Sequence, residues 1–223
     1  MLLEVCAFNI QSCLVAAQAG AGRIELCVDP LQGGTTPSYG LVRYALEKVS
    51  IPVYPMIRPR GGNFVYDEDE LEIMKKDIRT VRELGCPGIA TGVLLPDGRI
   101  DVEILSRIVS WAYPMNVTCH KAFDATQNAF EALEDVITAG CSRILTSGLN
   151  KTALEGAGVI ADLIAQAGDR IMIMPGGGVR SSNIAQLARE TGAREFHSSA
   201  LVTRASNHIA DENEVQLLLK NIR

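Results

Sequence analysis

Apolar positions along this chain fall into short runs separated by longer amphipathic stretches. The short runs lie near 2–6, 23–27, 53–58, 88–92, 116–120, 143–147, 171–175 and 195–199, and each predicts a β-strand. The stretches near 10–19, 38–48, 67–84, 101–112, 127–139, 152–166, 181–190 and 213–221 carry apolar residues on one helical face and predict helices. Strict alternation of strand and helix implies a parallel sheet with helical crossovers. Eight such units in 223 residues predict an α/β fold of the (β/α)8 TIM type, one compact domain over 1–223. A doubly wound open sheet would normally use fewer strands.

A repeat runs through the same pattern. Gly20-Ala21 precedes Ile24, Gly85-Cys86 precedes Ile89, Gly140-Cys141 precedes Ile144 and Gly192-Ala193 precedes Phe196, always at one spacing. Each Gly closes a helical stretch, where the left-handed conformation carries no Cβ penalty. Each copy therefore reads as a helix-to-strand turn.

Side chains alternate along a strand, so one parity lies under the helices and the other fills the barrel. Ile24, Leu26, Ile144 and Phe196 are bulky and apolar and suit the first layer. The lumen set is then Glu4 and Cys6, Glu25 and Cys27, Met56 and Arg58, Thr118 and His120, Ser147, and His197 with Ser199. These polar groups gather toward the C-terminal strand ends, the face on which barrel enzymes carry their sites. Glu25, His120 and His197 are the candidate acid–base groups. Cys6 and Cys27 are candidate ligands for a soft metal. Glu4 and Glu25 equally suit pairing with Arg58 or another cation to hold strands in register. Cys13, Cys86 and Cys141 read as core, Cys119 has the parity that points away from the lumen, and His208 reads as a solvated residue of a polar tail segment.

Several loops suit a small anion. Arg58 and Arg60 stand just before a Gly pair after the third strand, and Gly176, Gly177 and Gly178 follow the seventh, ahead of a helix capped by Ser181 or Ser182. Lys121 and Asp124 follow the fifth strand, and Ser147 and Ser199 follow the sixth and eighth. The long loop 29–40 is a candidate lid.

Composition narrows the partners. A net charge of −5 argues against nucleic acid, since no basic excess exists to neutralise phosphates. No apolar run approaches the roughly 20 residues of a membrane span, and the first residues lack a signal-peptide pattern, so a cytoplasmic location is expected. Six cysteines without a CxxC pair read as free thiols rather than disulfides or a zinc site.

The stretches GAGRIELC, GGTTPSYG, MIRPRGGNFVY, TCHKAFD, RILTSG, MPGGGV and EFHSSA, read in order, resemble the motifs of the CutC copper homeostasis family. The resemblance runs from Glu4 to Leu201. It implies a TIM-type barrel, a cytoplasmic homo-oligomer (dimer or tetramer), a role in copper tolerance, and Cu(I) held by cysteines that correspond to Cys6 and Cys27. The family usually shows Phe-His-Arg where this chain has Cys119-His120-Lys121. The expected function is thus copper homeostasis through lumen cysteines. The alternative is a barrel enzyme acting on a small phosphorylated or carboxylated metabolite.

Overall fold

In a computed structural model that describes residues 1–201 and 208–222, eight strands alternate with eight α-helices. They are β1 (Leu2–Ala7), α1 (Ile10–Ala19), β2 (Arg23–Leu26), α2 (Tyr39–Lys48), β3 (Val53–Pro55), α3 (Glu68–Glu83), β4 (Gly88–Thr91) and α4 (Val102–Ala112). Then come β5 (Asn116–Cys119), α5 (Ala129–Thr138), β6 (Arg143–Thr146), α6 (Ala157–Ala167), β7 (Met172–Pro175), α7 (Ile184–Thr191), β8 (Glu195–Ser198) and α8 (Glu212–Asn221).

The strands form two parallel four-stranded ladders, ordered β3-β2-β1-β8 and β4-β5-β6-β7. A parallel bridge from Met56 to Ala90 joins β3 to β4, and β7 packs beside β8. The ring closes as the expected (β/α)8 barrel. Leu3, Val5, Ile24, Leu26, Ile144 and Phe196 are fully buried in the layer between strands and helices. Each such side chain contributes roughly 1.5–3 kcal/mol by leaving water.

The four repeat glycines close helical stretches with left-handed φ, at 93° for Gly20, 84° for Gly85, 87° for Gly140 and 69° for Gly192. Helix starts follow capping chemistry. Asn9 accepts from the Ser12 N–H, and Asp67 and Glu70 form a reciprocal capping box at α3. Two starts differ from expectation. Helix α7 begins after Asn183 rather than Ser181 or Ser182, because the Ser181 N–H and hydroxyl both donate to Glu214 of α8, each at 2.7 Å. Helix α6 begins at Ala157 rather than 152, since a local turn at Thr152–Glu155 uses their side chains to bond each other's N–H groups. Among the described residues no helix is long and apolar enough to cross a membrane.

Candidate functional site

The lumen is charged from its floor upward. Arg23 donates to Glu4 and, at 2.6 Å, to Glu195, which also accepts from Arg143 at 2.6 Å. Arg143 reaches Thr118 Oγ1 at 3.2 Å, and Arg23 meets Met174 Sδ at 3.3 Å. Two cations and two carboxylates thus satisfy one another out of water, the condition for burying charge at tolerable cost. Glu4 thus pairs with a cation of the neighbouring strand. Arg23, Arg143 and Glu195 were not among the sequence candidates. Each shares the lumen parity of its own strand.

His197 links this floor to the space above. Its Nδ1 lies 2.7 Å from Glu4 Oε1 and its Nε2 lies 3.8 Å from Glu25 Oε2. Burial pushes the His197 pKa down, but the charge of Glu25 and the bonds to Cys6 and Glu4 outweigh it and hold the ring as an imidazolium. Burial likewise opposes ionisation of Glu4, yet the bond and charge of His197, with Arg23, bring its pKa down to about 2. For Glu25 burial wins and the pKa is raised, even though His197 pulls the other way. Glu25 Oε1 is buried and has no protein partner.

Cys6 and Cys27 meet at the end of β1 and just beyond β2, with their sulfurs 3.6 Å apart. They pack with Met56 in a small apolar cluster beside Phe8. The bond to Cys27, then burial, then the Glu25 charge push the Cys6 thiol well above its usual pKa. For Cys27 the bond from Cys6 lowers the pKa, but burial and Glu25 outweigh it. Both are thiols in the metal-free protein. A Cβ at Gly34 would lie 3.0 Å from Met56 Sδ and 3.2 Å from Cys27 Sγ, so this glycine keeps the sulfur side open. Glu25 oxygen joins the two sulfurs as a third potential ligand atom, while the triad Glu4, Glu25 and His197 is largely spent on its own internal bonds. Cys13, Cys86, Cys119 and Cys141 are buried in the outer apolar layer, as their parity and spacing implied.

His120 follows β5 directly, with its ring over Gly92, where a Cβ would come within 2.7 Å of Nδ1. Nδ1 accepts from the Ala122 N–H at 3.2 Å, which places the proton of the neutral ring on Nε2. Burial, then the charge of Arg58, lowers its pKa to about 3. Nε2 is buried and finds no protein partner.

These groups line a cavity of about 220 Å³ at the C-terminal end of the strands. Cys6, Glu25, Met56, Arg58, His120 and His197 face it, together with Lys121, Gly177, Gly178 and Ser199 of the expected anion loops. Phe8, Phe64, Leu145 and Arg180 line it as well and were not among the sequence candidates. For Arg180 the signal was a cation two residues beyond Gly178 at a helix start.

Other expectations need correction. Arg58 spends part of its fork on backbone: Nη1 donates to the Gln32 and Gly34 carbonyls at 2.6 and 2.9 Å and Nη2 to Gly62 at 2.8 Å, while its Nε is buried without a protein partner. Arg60 lies away from the cavity, paired with Glu70 and bonded to the Val65 carbonyl. Asp124 accepts from Thr146 Oγ1, from the N–H and hydroxyl of Ser147 and from the Leu149 N–H, so Asp124 and Ser147 clamp the loop after β6. Gly176 packs closely, since a Cβ there would lie 2.3 Å from Leu145 Cδ1 and 3.2 Å from His197 Cβ. The 29–40 loop is pinned by Arg58 and by a Val28–Thr35 bridge, which does not suit a free lid. His208 is not simply solvated: its carbonyl accepts from Asn9 at 3.0 Å and its ring stands edge-on to Phe8, centroids 6.3 Å apart.

Comparison with known proteins places the chain among relatives. The CutC family profile matches residues 1–202. A family protein CutC from Salmonella paratyphi A is 49% identical over 199 residues, 89% of this chain and 79% of that protein. A copper homeostasis protein cutC homolog from Mus musculus is 46% identical over 205 residues, 92% of this chain and 75% of that protein. A crystal structure of CutC from Streptococcus agalactiae superposes with a TM-score of 0.84 at 35% identity, covering 89% of this chain and 98% of that one.

Proposed function

The chain belongs to the CutC family, and from that premise we propose that it serves copper homeostasis by holding Cu(I) between Cys6 and Cys27. The observation that carries this is the 3.6 Å separation of the two sulfurs, with Cys6 at the cavity wall and Cys27 buried behind it. Cu(I) is soft and favours thiolate and thioether donors, and Met56 adds a third sulfur to the same cluster. Both thiols must lose protons to bind, so affinity should rise with pH. All six cysteines are free, which fits a reducing compartment such as the cytoplasm. An anaerobic Cu(I) titration against a competing chelator tests the reading. Cys6→Ser with Cys27→Ser should abolish tight binding; unchanged binding would move copper elsewhere.

A second reading has its own observation. Glu25 Oε1 and His120 Nε2 are buried without protein partners, on residues that line one cavity. A scaffold gains nothing by leaving such groups unpaired, whereas an active site needs them open. On this reading the barrel acts on a small phosphorylated or carboxylated metabolite, with Glu25, His120 and His197 handling protons. A thermal-shift screen of such metabolites on copper-free protein should yield a stabilising ligand, and the absence of any hit would sink it.

A further inference from the structure

One wall of the cavity is cationic and comes from the loops after β5, β7 and β8. Arg180 Nη1 donates to the Val179 carbonyl at 2.6 Å and to Ser198 Oγ at 3.2 Å, and Nη2 donates to Ser199 Oγ at 3.4 Å. These bonds orient the guanidinium without neutralising it, since among the described residues no carboxylate stands within ion-pair reach of Arg180. Lys121 Nζ arrives from the other side, 3.4 Å from Ser147 Oγ and 3.4 Å from Asp124 Oδ2. Gly177 lies beside it with φ 102°, and a Cβ there would stand 3.2 Å from Lys121 Nζ. The glycine thus bares backbone next to the ammonium. His120 supplies a separate group in the same cavity: it is 3% exposed, and its Nε2–H has no protein acceptor.

We propose that the cavity binds a phosphate monoester in two-point fashion. The phosphoryl group lies on Arg180 and Lys121 beside Gly177 and Gly178, and a second oxygen function, a carbonyl or carboxylate, accepts the hydrogen bond from His120 Nε2. This rests on the second reading above, that the cavity takes a small anion. The donors Arg180 has left, together with an ammonium, match a group that offers several anionic oxygens in different directions. The loops after the seventh and eighth strands are where barrels commonly cradle phosphate. Size limits the rest of the ligand. A cavity of about 220 Å³ has room for a phosphoryl group and a short carbon chain. Cys6, Cys27 and Met56 belong to β1, β2 and β3 and the residues that follow them, so this ligand and Cu(I) use different residues of one cavity.

The test is calorimetry on the full chain, copper-free, reduced and in phosphate-free buffer, with phosphoglycolate, ethyl phosphate and glycolate as probes. Phosphoglycolate should bind at least tenfold more tightly than ethyl phosphate, and glycolate most weakly. Arg180→Gln should weaken both phosphorylated probes at least tenfold. His120→Asn keeps an acceptor for the Ala122 N–H but loses the Nε2 donor; it should bring phosphoglycolate down to the ethyl phosphate level and leave ethyl phosphate unchanged. If no probe binds the wild type, both this proposal and the reading beneath it fall. If the anions bind but phosphoglycolate has no advantage, glycolate equals it, or Arg180→Gln changes nothing, the two-point placement is overturned while the small-anion reading stands. The ranking of probes on the wild type decides the matter even where a variant does not fold.

Discussion

His197 Nδ1 lies 2.7 Å from Glu4 Oε1, and that one contact ties the charged floor of the barrel to the cavity above it. Below it Glu4 is held by Arg23; above it the same imidazole stands 3.8 Å from Glu25. Glu4→Gln would leave a buried imidazolium and a buried guanidinium short of their countercharge. The expected loss is about 3–5 kcal/mol in urea unfolding at neutral pH. The folded-state pKa of Glu4 is lowered from 4.5 to about 2, so its contribution is present above pH 4.5 and lost as pH falls toward 2. The acid limb of wild-type stability should therefore flatten in the variant over that window. A loss below 1 kcal/mol with an unchanged acid limb would mean that Arg23 and His197 find compensation without Glu4.

Gly34→Ala tests the sulfur side. The new Cβ would crowd Met56 Sδ at 3.0 Å and Cys27 Sγ at 3.2 Å, at a residue with φ 96°. The left-handed backbone alone costs roughly 1–2 kcal/mol in an L-residue. Cu(I) affinity should drop at least tenfold, as read by chelator competition. A variant that is destabilised yet binds copper like the wild type would separate Gly34 and Met56 from the copper site.

His120 predicts a pH signature of opposite origin to a salt bridge. Its pKa falls from 6.5 to about 3 on folding, so the unfolded chain takes up a proton first as pH drops. Stability linked to this residue is complete above pH 6.5 and declines as pH falls from 6.5 toward 3. His120→Asn should remove that slope, seen as a shallower fall of Tm between pH 6.5 and 5. Parallel Tm profiles for the two proteins would show that the imidazole is not held neutral.

Asp124 gathers donors from Thr146, Ser147 and Leu149. Asp124→Asn replaces one accepting oxygen by a donor and sets it against N–H groups. The expected cost is about 1.5–3 kcal/mol, the range for hydrogen bonds to a charged group. Amide exchange at Ser147 and Leu149 should quicken by more than the global change requires. Equal protection at both amides would contradict the clamp.

The alternation of short apolar runs with amphipathic stretches was enough to determine the barrel, because strand and helix periodicities are local properties of the chain. The repeat glycines were legible for the same reason: a helix that must turn back into a strand needs a left-handed residue, and Gly20, Gly85, Gly140 and Gly192 supply it. Strand parity also determined which face each residue takes, which is why Cys6 and Cys27 could be paired in advance and Cys119 set apart. What parity could not decide is which partner each polar group finds across the lumen, because that depends on register between strands far apart in sequence. Arg58 and Arg60 looked like a matched pair in the sequence, yet the third loop folds so that one latches backbone carbonyls and the other meets Glu70. Arg180 follows the glycines of the β7 loop, and only the packing of the β7 and β8 loops turns it into the cavity. Glu4 and Glu25 share a parity and sit on neighbouring strands. One is neutralised by Arg23 and His197 and the other keeps an unpartnered oxygen, a difference of a few ångströms in three dimensions that no local pattern encodes.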